Sequence, residues 1–342
     1  MTDKIRSNRN LPPAGYSGIP VPSGAAMSRR GFLSAAAGVS AVPFLSAAGS
    51  EPSIPRRFPT GKPPLVCFTK HLQFSRDFNE LAGFLVDLGF DGADLTVRPK
   101  GHVPPENVER DLPKATAAIR QAGLDVYMIT TDIEDAHGKY TEPILKTASA
   151  LGIPFYRIGG WMYRPDRGIL EQIEEYKPKM KELAAMNAQY NIRAGYHNHS
   201  GPGYLGGPIW DIHEMLREVD PEWIGYNFDA AHAVAEGSAG AWETNFRLIA
   251  DRIKMAAAKD TAWIHEPGKG WRHEYPPVGE GMTDWPKVLR LFKEAGFTGP
   301  ISMHFEYEIP ADSEEDRRKK ELAAIQRDRE RFAQMMRDAG LR

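Results

Sequence analysis

"LFKEAGFTGPISMHFE", residues 291–306, is the stretch from which the fold of this chain can be predicted. Its first half has the apolar spacing of a helix, and its last part is a short apolar run that suits a buried parallel strand. Gly296 lies between them, where a helix commonly ends on a residue with positive φ. A helix that passes through a glycine turn into a strand is one repeat of an α/β fold.

The same phrase recurs upstream as LGFDG, AGLD and LGIP, each time before an apolar run. Eight such runs alternate with eight helical stretches, which predicts a single-domain α/β fold, a (β/α)8 TIM barrel, over residues 62–342. The predicted strands are 64–69, 92–97, 125–130, 154–159, 192–197, 224–229, 253–259 and 300–305. The predicted helices are 77–88, 106–122, 141–151, 168–190, 208–218, 241–250, 284–295 and 313–338.

The N-terminal residues do not share this pattern. Residues 1–26 are rich in Pro, Gly and Ser and are predicted to form a disordered extension. Residues 27–48 contain SRRGFL followed by an apolar stretch and small residues, which indicates a twin-arginine signal peptide. A linker at 49–61 is expected between this signal peptide and the barrel.

The signal peptide predicts that the twin-arginine export machinery is a partner and that the protein is periplasmic or otherwise extracytoplasmic. Met27 directly precedes the motif, so either Met1 or Met27 can be the true start. Cys67 is the only cysteine, which excludes an intrachain disulfide and a thiolate zinc cluster. The formal net charge of −2 gives no attraction to nucleic acid, and we expect no nucleic-acid partner.

Polar residues collect where the predicted strands end, which is where a TIM barrel carries its active site. The stretch RAGYHNHS, residues 193–200, places His197 and His199 at the end of strand 5, two residues apart and therefore on one face. Histidines at the start of a loop can also be satisfied by hydrogen bonds alone. The other strands that end at this mouth add Asp229, Lys259, His304 and Glu306. Imidazoles and carboxylates from several strands favour a metal or proton-transfer site.

These motifs resemble those of the xylose isomerase-like sugar phosphate isomerase/epimerase barrels, over about residues 62–310. The similar stretches are LGFDGADL, HNH, FDAAHAVAEG, AAAKD and VGEGMTDWPKVLRLFKEAGFTGPISMHFE. Members of that family typically hold one divalent cation with Glu, Asp, His and Glu from strands 5 to 8. The resemblance therefore implies an enzyme of carbohydrate metabolism with a metal-binding barrel mouth.

Position by position, the family's four ligands fall on His197, Asp229, Ala257 and His304. Only the aspartate keeps its residue type. One interpretation is a reshaped site in which His197, Asp229 and His304 bind one divalent metal ion (Mn, Zn, Co or Fe), with His199 or Glu306 as a further ligand. The other interpretation is a barrel that has lost its metal and keeps a polar sugar pocket.

Ketose epimerases of this family move a proton with two metal-bound glutamates, and histidines stand at both positions in this chain. The resemblance therefore leaves proton transfer to His199, Lys259 or Glu306, which we predict as catalytic residues. A lysine serves as a base only when its pKa is lowered. Lys259 could equally be a structural partner of Asp229 or Asp260.

The predicted substrate-binding residues are Arg98, Trp161, Arg164, His232 and Trp271. His232 in FDAAH resembles a family histidine that contacts the substrate or holds the metal-binding aspartate. Arg98 could meet a carboxylate or a phosphate. The tryptophans suit the faces of sugar rings, although such residues can equally be packing anchors. Trp271 belongs to the long loop 261–281, which we predict to act as a lid.

The sequence thus predicts an exported sugar isomerase or epimerase that acts on a small carbohydrate by proton transfer beside a carbonyl, with one divalent metal ion as cofactor. One alternative is a keto-sugar or glycoside lyase or hydrolase, since such reactions can begin with the same proton abstraction. Another is a non-catalytic sugar-binding barrel. A homo-oligomer is compatible with the sequence.

Overall fold

The computed structural model of the protein describes residues 61–342, which belong to one compact unit spanning Pro52–Arg342. The predicted disordered extension, the signal peptide and all but the last residue of the predicted linker lie outside the described residues, so these stay predictions. Among the described residues, no helix combines the length and hydrophobicity that crossing a membrane requires.

The described residues form a closed barrel of eight parallel strands and a separate two-stranded hairpin. The strands are β1 (Leu65–Phe68), β2 (Gly92–Val97), β3 (Asp125–Thr131), β4 (Phe155–Arg157), β5 (Arg193–His197), β6 (Ile224–Asp229), β7 (Ile253–Ala258), β8 (Ala262–Glu266), β9 (Gly270–Glu274) and β10 (Ile301–Met303). The barrel strands follow one another in chain order, and β10 pairs with both β7 and β1. The predicted TIM barrel is confirmed.

Each barrel strand leads to a helix on the outside of the barrel. The helices are α1 (Phe78–Asp87), α2 (Val108–Gln121), α3 (Thr141–Ala150), α4 (Ile169–Tyr190), α5 (Trp210–Leu216), α6 (Ala230–Ile249), α7 (Trp285–Glu294) and α8 (Glu314–Asp338). Side-chain caps account for several starts. Asp77 accepts two backbone N–H groups at α1, and Ser313 accepts the N–H of Asp316 at α8.

The recurring glycines meet two different requirements. Gly296 has a φ of 66°, and its N–H donates to the carbonyl of Lys293 over 3.0 Å, so it ends α7 as Gly89 ends α1. Gly299, which closes the phrase AGFTG, lies against the neighbouring strand, where a Cβ would be 2.0 Å from the backbone oxygen of Lys254. The second glycine is therefore required by the close approach of two strands and not by its φ.

The structure corrects the prediction for α6, which begins at Ala230 and not at residue 241. The carboxylate of Asp229 accepts the N–H of His232 over 2.9 Å and so starts a helix directly at the end of β6. The sequence GSAG at 237–240 suggests a loop, but the structure has only a kink there, with a φ of 48° at Ser238.

The long segment after β7 contains the β8–β9 hairpin, where an irregular loop was expected. Its turn includes Gly268, whose φ of 81° suits a tight hairpin connection. Asp260 fixes the base of this segment, since its carboxylate accepts the N–H groups of Gly279 and Thr283 over 2.8 and 3.0 Å. Two five-residue runs on either side of a glycine turn are the signal that could have predicted the hairpin.

We predict that Gly299→Ala lowers the free energy of unfolding by about 1–3 kcal/mol, because the added Cβ forces β10 away from β7. Urea unfolding followed by circular dichroism measures the change. Gly83→Ala is the matched control: in the middle of α1, a Cβ at Gly83 would meet nothing within 4 Å. That variant should instead gain about 0.5–1 kcal/mol. Equal stabilities of the two variants would contradict the close approach.

Candidate functional site

Asn198 explains why β5 ends in HNH. Its amide faces away from the two histidines, donates to the backbone oxygen of Asp229 over 2.9 Å and accepts the backbone N–H of Asp229 over 2.8 Å. His197 and His199 are two residues apart and share the opposite direction. The asparagine thus joins the end of β5 to the end of β6 and fixes both histidines relative to Asp229.

The Asp229 carboxylate lies at the centre of the mouth and is fully buried. Its Oδ1 atom caps α6. Its Oδ2 atom has no hydrogen-bond partner among the described residues, although three nitrogen atoms surround it. These are His197 Nε2 at 3.6 Å, His232 Nε2 at 3.7 Å and Lys259 Nζ at 3.5 Å. The atom therefore faces a polar cluster that is close but not in hydrogen-bond contact.

Lys259 connects the members of this cluster. Its ammonium donates to Glu306 Oε2 over 2.7 Å and to His232 Nε2 over 2.8 Å, and it lies 4.5 Å from the centroid of the Tyr275 ring. Burial acts to lower the pKa of Lys259, but the charges of Asp229 and Glu306 outweigh it and raise the pKa above its usual value. Lys259 is therefore a charged donor, not a base.

Glu306 is the anionic partner of two lysines. Its second oxygen contacts Lys70 Nζ at 3.2 Å. Burial acts to raise the pKa of Glu306, but the charges of Lys259 and Lys70 and the hydrogen bond from Lys259 hold it well below its usual range. A carboxylate stabilised in this way is a weak base.

The buried histidines of the mouth are neutral. Burial is the main cause that holds the pKa of His197, His232 and His304 well below the usual value, and nearby positive charges lower it further. The Nε2 atom of His71 accepts the N–H of Phe305, and burial lowers the pKa of His71 to about 3. Neutral imidazoles offer lone pairs to protons or to metal ions.

His199 has the most accessible lone pair in this group. Its Nδ1 lies 2.8 Å from the carbonyl oxygen of Ser200, which requires the proton on Nδ1 and leaves Nε2 as an acceptor. The ring stacks between Tyr204 and His232, with centroids 4.2 and 4.0 Å away. Nε2 has no hydrogen bond within residues 61–342, and burial lowers the pKa of His199. The lone pair of Nε2 is therefore open to a hydrogen-bond donor.

Three side chains come close enough to surround a metal ion. Donor atoms of His197, Asp229 and His232 all lie within 4.8 Å of one another. His304, predicted as the third ligand, lies outside this set. Its ring is 6.1 Å from that of His197 and packs on Phe68 at 4.6 Å. The helix that begins at Ala230 brings His232 into the cluster, because residues three apart lie on one face.

A sequence profile of known proteins decides the family. The profile described as xylose isomerase-like TIM barrel matches residues 82–328 of this chain. The chain belongs to this family.

Individual relatives are distant. An uncharacterised protein of Methanocaldococcus jannaschii is 26% identical over 125 residues, which are 36% of this chain and 40% of that protein. The structure of the IOLI protein with a bound zinc atom is 15% identical with a TM-score of 0.62, covering 80% of this chain and 98% of that one. The 3-keto-D-glucoside 4-epimerase of E. coli is 13% identical with a TM-score of 0.57, covering 79% and 100%. At these identities the likeness shows the fold alone.

Two residues predicted to bind substrate lie at or beside the mouth of this family member. The guanidinium of Arg98 lies 5.5 Å from the centroid of the Phe68 ring, at the end of β1. Arg164 lines a groove of about 1140 Å³ that also includes Ser200 and Tyr204, although its guanidinium is paired with Glu175. Tyr204, which lines this groove, stacks on the ring of His199 with centroids 4.2 Å apart.

The two tryptophans have different positions. Trp161 is 6% exposed and stacks on Tyr176 with ring centroids 4.4 Å apart, so the structure places it in the hydrophobic core and not at a substrate wall. Trp271 is 67% exposed on β9, where it packs against His265 of β8. Trp161 is corrected to a packing residue, and a role for Trp271 stays a prediction.

Sequence reasoning missed the partners of the predicted residues. Ser200 Oγ lies 2.6 Å from His232 Nδ1, Lys70 contacts Glu306, and Tyr275 lies under Lys259. Lys70 directly follows the predicted strand 64–69, so its place at the mouth follows from the sequence, but its pairing with Glu306 does not. Nothing in the sequence spacing indicates that Ser200 meets His232, because that contact depends on where α6 begins.

We predict that Asn198→Ala destabilises the protein more than Asn227→Ala does. Both asparagines are buried, but the amide of Asn227 has no hydrogen-bond partner among the described residues. The same atoms are removed in both variants, so the difference reports the two bonds to Asp229. Asn198→Ala leaves the buried backbone N–H and C=O of Asp229 unpaired. It should therefore lower the free energy of unfolding by about 1–3 kcal/mol more than Asn227→Ala does, measured by urea unfolding. Equal losses would show that the amide bonds do not hold the strand ends together.

Proposed function

We propose that this protein is an exported sugar isomerase or epimerase that transfers a proton on a carbon next to a carbonyl group. One observation carries the proposal: a neutral imidazole with an accessible lone pair, His199, stands beside a buried ammonium, Lys259. His232 contacts both residues. Its ring is 4.0 Å from that of His199, and its Nε2 is 2.8 Å from Lys259 Nζ. A base next to a cation is the pairing that enolisation requires.

His199 Nε2 takes the proton from the carbon, and the electron pair of that C–H bond moves to the carbonyl oxygen to give an enediolate. Lys259 stabilises the negative oxygen. Two of its N–H groups are used by Glu306 and His232, but the contact to Asp229 is long, at 3.5 Å, so one N–H can turn to the substrate. Return of the proton to the other face, or to the neighbouring carbon, gives the epimer or the isomer without net oxidation.

Glu306 holds Lys259 in place in this scheme. It was predicted as a catalytic residue beside His199 and Lys259, and its strong pairing with two ammonium groups favours a positioning part. Neutral His197 and His304, whose rings are 6.1 Å apart, are better suited than Glu306 to act as a second proton carrier. They stand where the resemblance places the two glutamates that carry protons in the family's epimerases.

A divalent cation on His197, Asp229 and His304 stays a prediction. One structural neighbour in the family is described with zinc, so metal-bound structures occur among the chain's neighbours. In this chain the side chains do not assemble the family's ligand set. β7 contributes the methyl group of Ala257 at the ligand position, and the Lys259 ammonium lies among the remaining donors. The proposed proton transfer therefore uses the chain's own residues.

A second candidate is a lyase or hydrolase that acts on keto-sugars or glycosides. The groove of about 1140 Å³ beside Ser200 favours it, since the groove offers room for a second ring next to the reacting sugar. Elimination begins with the same proton abstraction as isomerisation. The two differ in the products: a released leaving group marks elimination, and an unchanged mass marks isomerisation.

We expect the protein to exchange a carbon-bound proton of its substrate with D₂O. A panel of ketoses, 3-keto-glycosides and sugar acids, followed by mass spectrometry, identifies that substrate. His199→Gln should lower the exchange rate by about a hundredfold or more, since it removes the base. Because burial lowers the pKa of His199, the acidic limb of kcat/KM should lie below pH 6.5.

His137→Gln is the matched control, because His137 is an exposed histidine paired with Glu182 and contributes nothing to the mouth. It should keep the wild-type rate. If sugars bind but no member of the panel exchanges a proton, the non-catalytic sugar-binding barrel replaces the enzyme. Full activity of His199→Gln would remove His199 from the mechanism.

Export is part of the proposal and is supported by SRRGFL at residues 28–33. We expect that replacing Arg29→Lys together with Arg30→Lys keeps the protein in the cytoplasm, because the twin arginines are the feature that the export machinery reads. Cell fractionation with antibody detection measures the location. Replacing Arg6→Lys and Arg9→Lys is the control and should not alter delivery. Extracytoplasmic delivery of the first double variant would refute the twin-arginine route.

A further inference from the structure

We propose that the ammonium of Lys259 takes the place of the divalent cation in this barrel, so that its mouth is built to work without a metal ion. The inference concerns the resident cation alone. It does not depend on which reaction the protein performs, because it can be tested without a substrate.

The position of Lys259 is the first observation. Zinc and similar ions bind nitrogen and oxygen ligands at about 2.0–2.2 Å. An ion shared by His197, Asp229 and His232 would therefore lie against the Lys259 ammonium, which is 2.8 Å from His232 Nε2 and 3.5 Å from Asp229 Oδ2. The ammonium and the ion compete for one space.

The protonation of His232 is the second observation. An ammonium has only protons to donate, so His232 Nε2 must accept from Lys259 with its lone pair. The proton of the ring is then on Nδ1, where it is donated to Ser200 Oγ over 2.6 Å. A metal ion needs the lone pair that Lys259 already uses. His232 can therefore ligate an ion only if Lys259 leaves.

The residues of β7 are the third observation. The strand reads IKMAAA and offers no ligand at Ala257, where the resemblance places a histidine. Lys259 is two residues further along and so shares the direction of Ala257. The methyl group of Ala257 is smaller than the imidazole that the resemblance places there, and Lys259 is 3% exposed.

The balance of charge is the fourth observation. Two carboxylates, Asp229 and Glu306, are matched by the two ammonium groups of Lys259 and Lys70. A divalent ion would bring two more positive charges into a buried site that is already neutralised, which is unfavourable at low dielectric.

The wild-type chain, without a histidine tag and expressed in metal-replete medium, gives the first test. Elemental analysis should find well below one equivalent of any divalent metal. Added Zn²⁺ or EDTA should leave the melting temperature unchanged. One full equivalent of metal that EDTA removes, with a lowered melting temperature, would overturn the proposal.

Lys259→Ala gives the second test. Loss of the ammonium frees His232 Nε2 and Asp229 Oδ2, so Zn²⁺ should bind on the order of a hundredfold or more tighter than to the wild type. The melting temperature of this variant should rise with Zn²⁺ and fall again with EDTA. Lys70→Ala is the matched control, since it removes the other lysine of Glu306 but leaves His232 engaged. It should bind Zn²⁺ no better than the wild type.

Lys259→Met keeps the length of the side chain without its charge and serves if the alanine variant does not fold. A folded Lys259 variant with wild-type Zn²⁺ affinity would overturn the proposal, since the ammonium would then not be what excludes the ion. The same gain in Lys70→Ala would overturn it as well, because the effect would be one of net charge. A protein inactive on every sugar would contradict the proposed function and leave these binding results unaffected.

Discussion

The hydrogen-bonded pairing of β1 with β10 closes the sheet, and the candidate site depends on that closure. Leu65 is in register with Ile301 and Cys67 with Met303, so the first and last strands of the barrel become neighbours. All barrel strands are parallel, so their carboxyl ends must meet at one mouth. Asp229, Lys259 and Glu306 are brought together by this constraint and not by proximity in the chain.

Closure also creates the electrostatic character of the mouth. Side chains at the strand ends are removed from water, and burial penalises every charge that lacks a partner. Lys259 remains charged because Asp229 and Glu306 face it, whereas burial and the nearby charge of Lys259 keep His232 neutral. The result is a buried ammonium that faces two carboxylates and lies beside neutral imidazoles. A further cation beside Lys259 is therefore repelled, whereas an anionic group is attracted.

Asp229 shows how the fold and the site share one residue. Its Oδ1 atom starts α6, its backbone is held by Asn198, and its Oδ2 atom remains directed at the cluster. Because the cap starts α6 directly after β6, His232 lies one turn from Asp229 and reaches Lys259. A small local event, the capping of a helix, therefore decides which histidine belongs to the site.

The sequence by itself determined the barrel, since helix periodicity, glycine helix ends and short apolar runs are local signals that need no tertiary information. It also determined that His197, Asp229, Lys259 and Glu306 meet, because the carboxyl ends of all strands in a parallel barrel lie at the same end of the barrel. Only the tertiary structure decided how deeply each side chain is buried and how far apart the groups of the site lie. It buried Trp161 on Tyr176, brought His232 close to His197 and Asp229, and paired Lys259 with Glu306. These outcomes depend on how far neighbouring strands and loops stand apart once the barrel is closed, and no local pattern encodes a separation between residues that are distant in the chain.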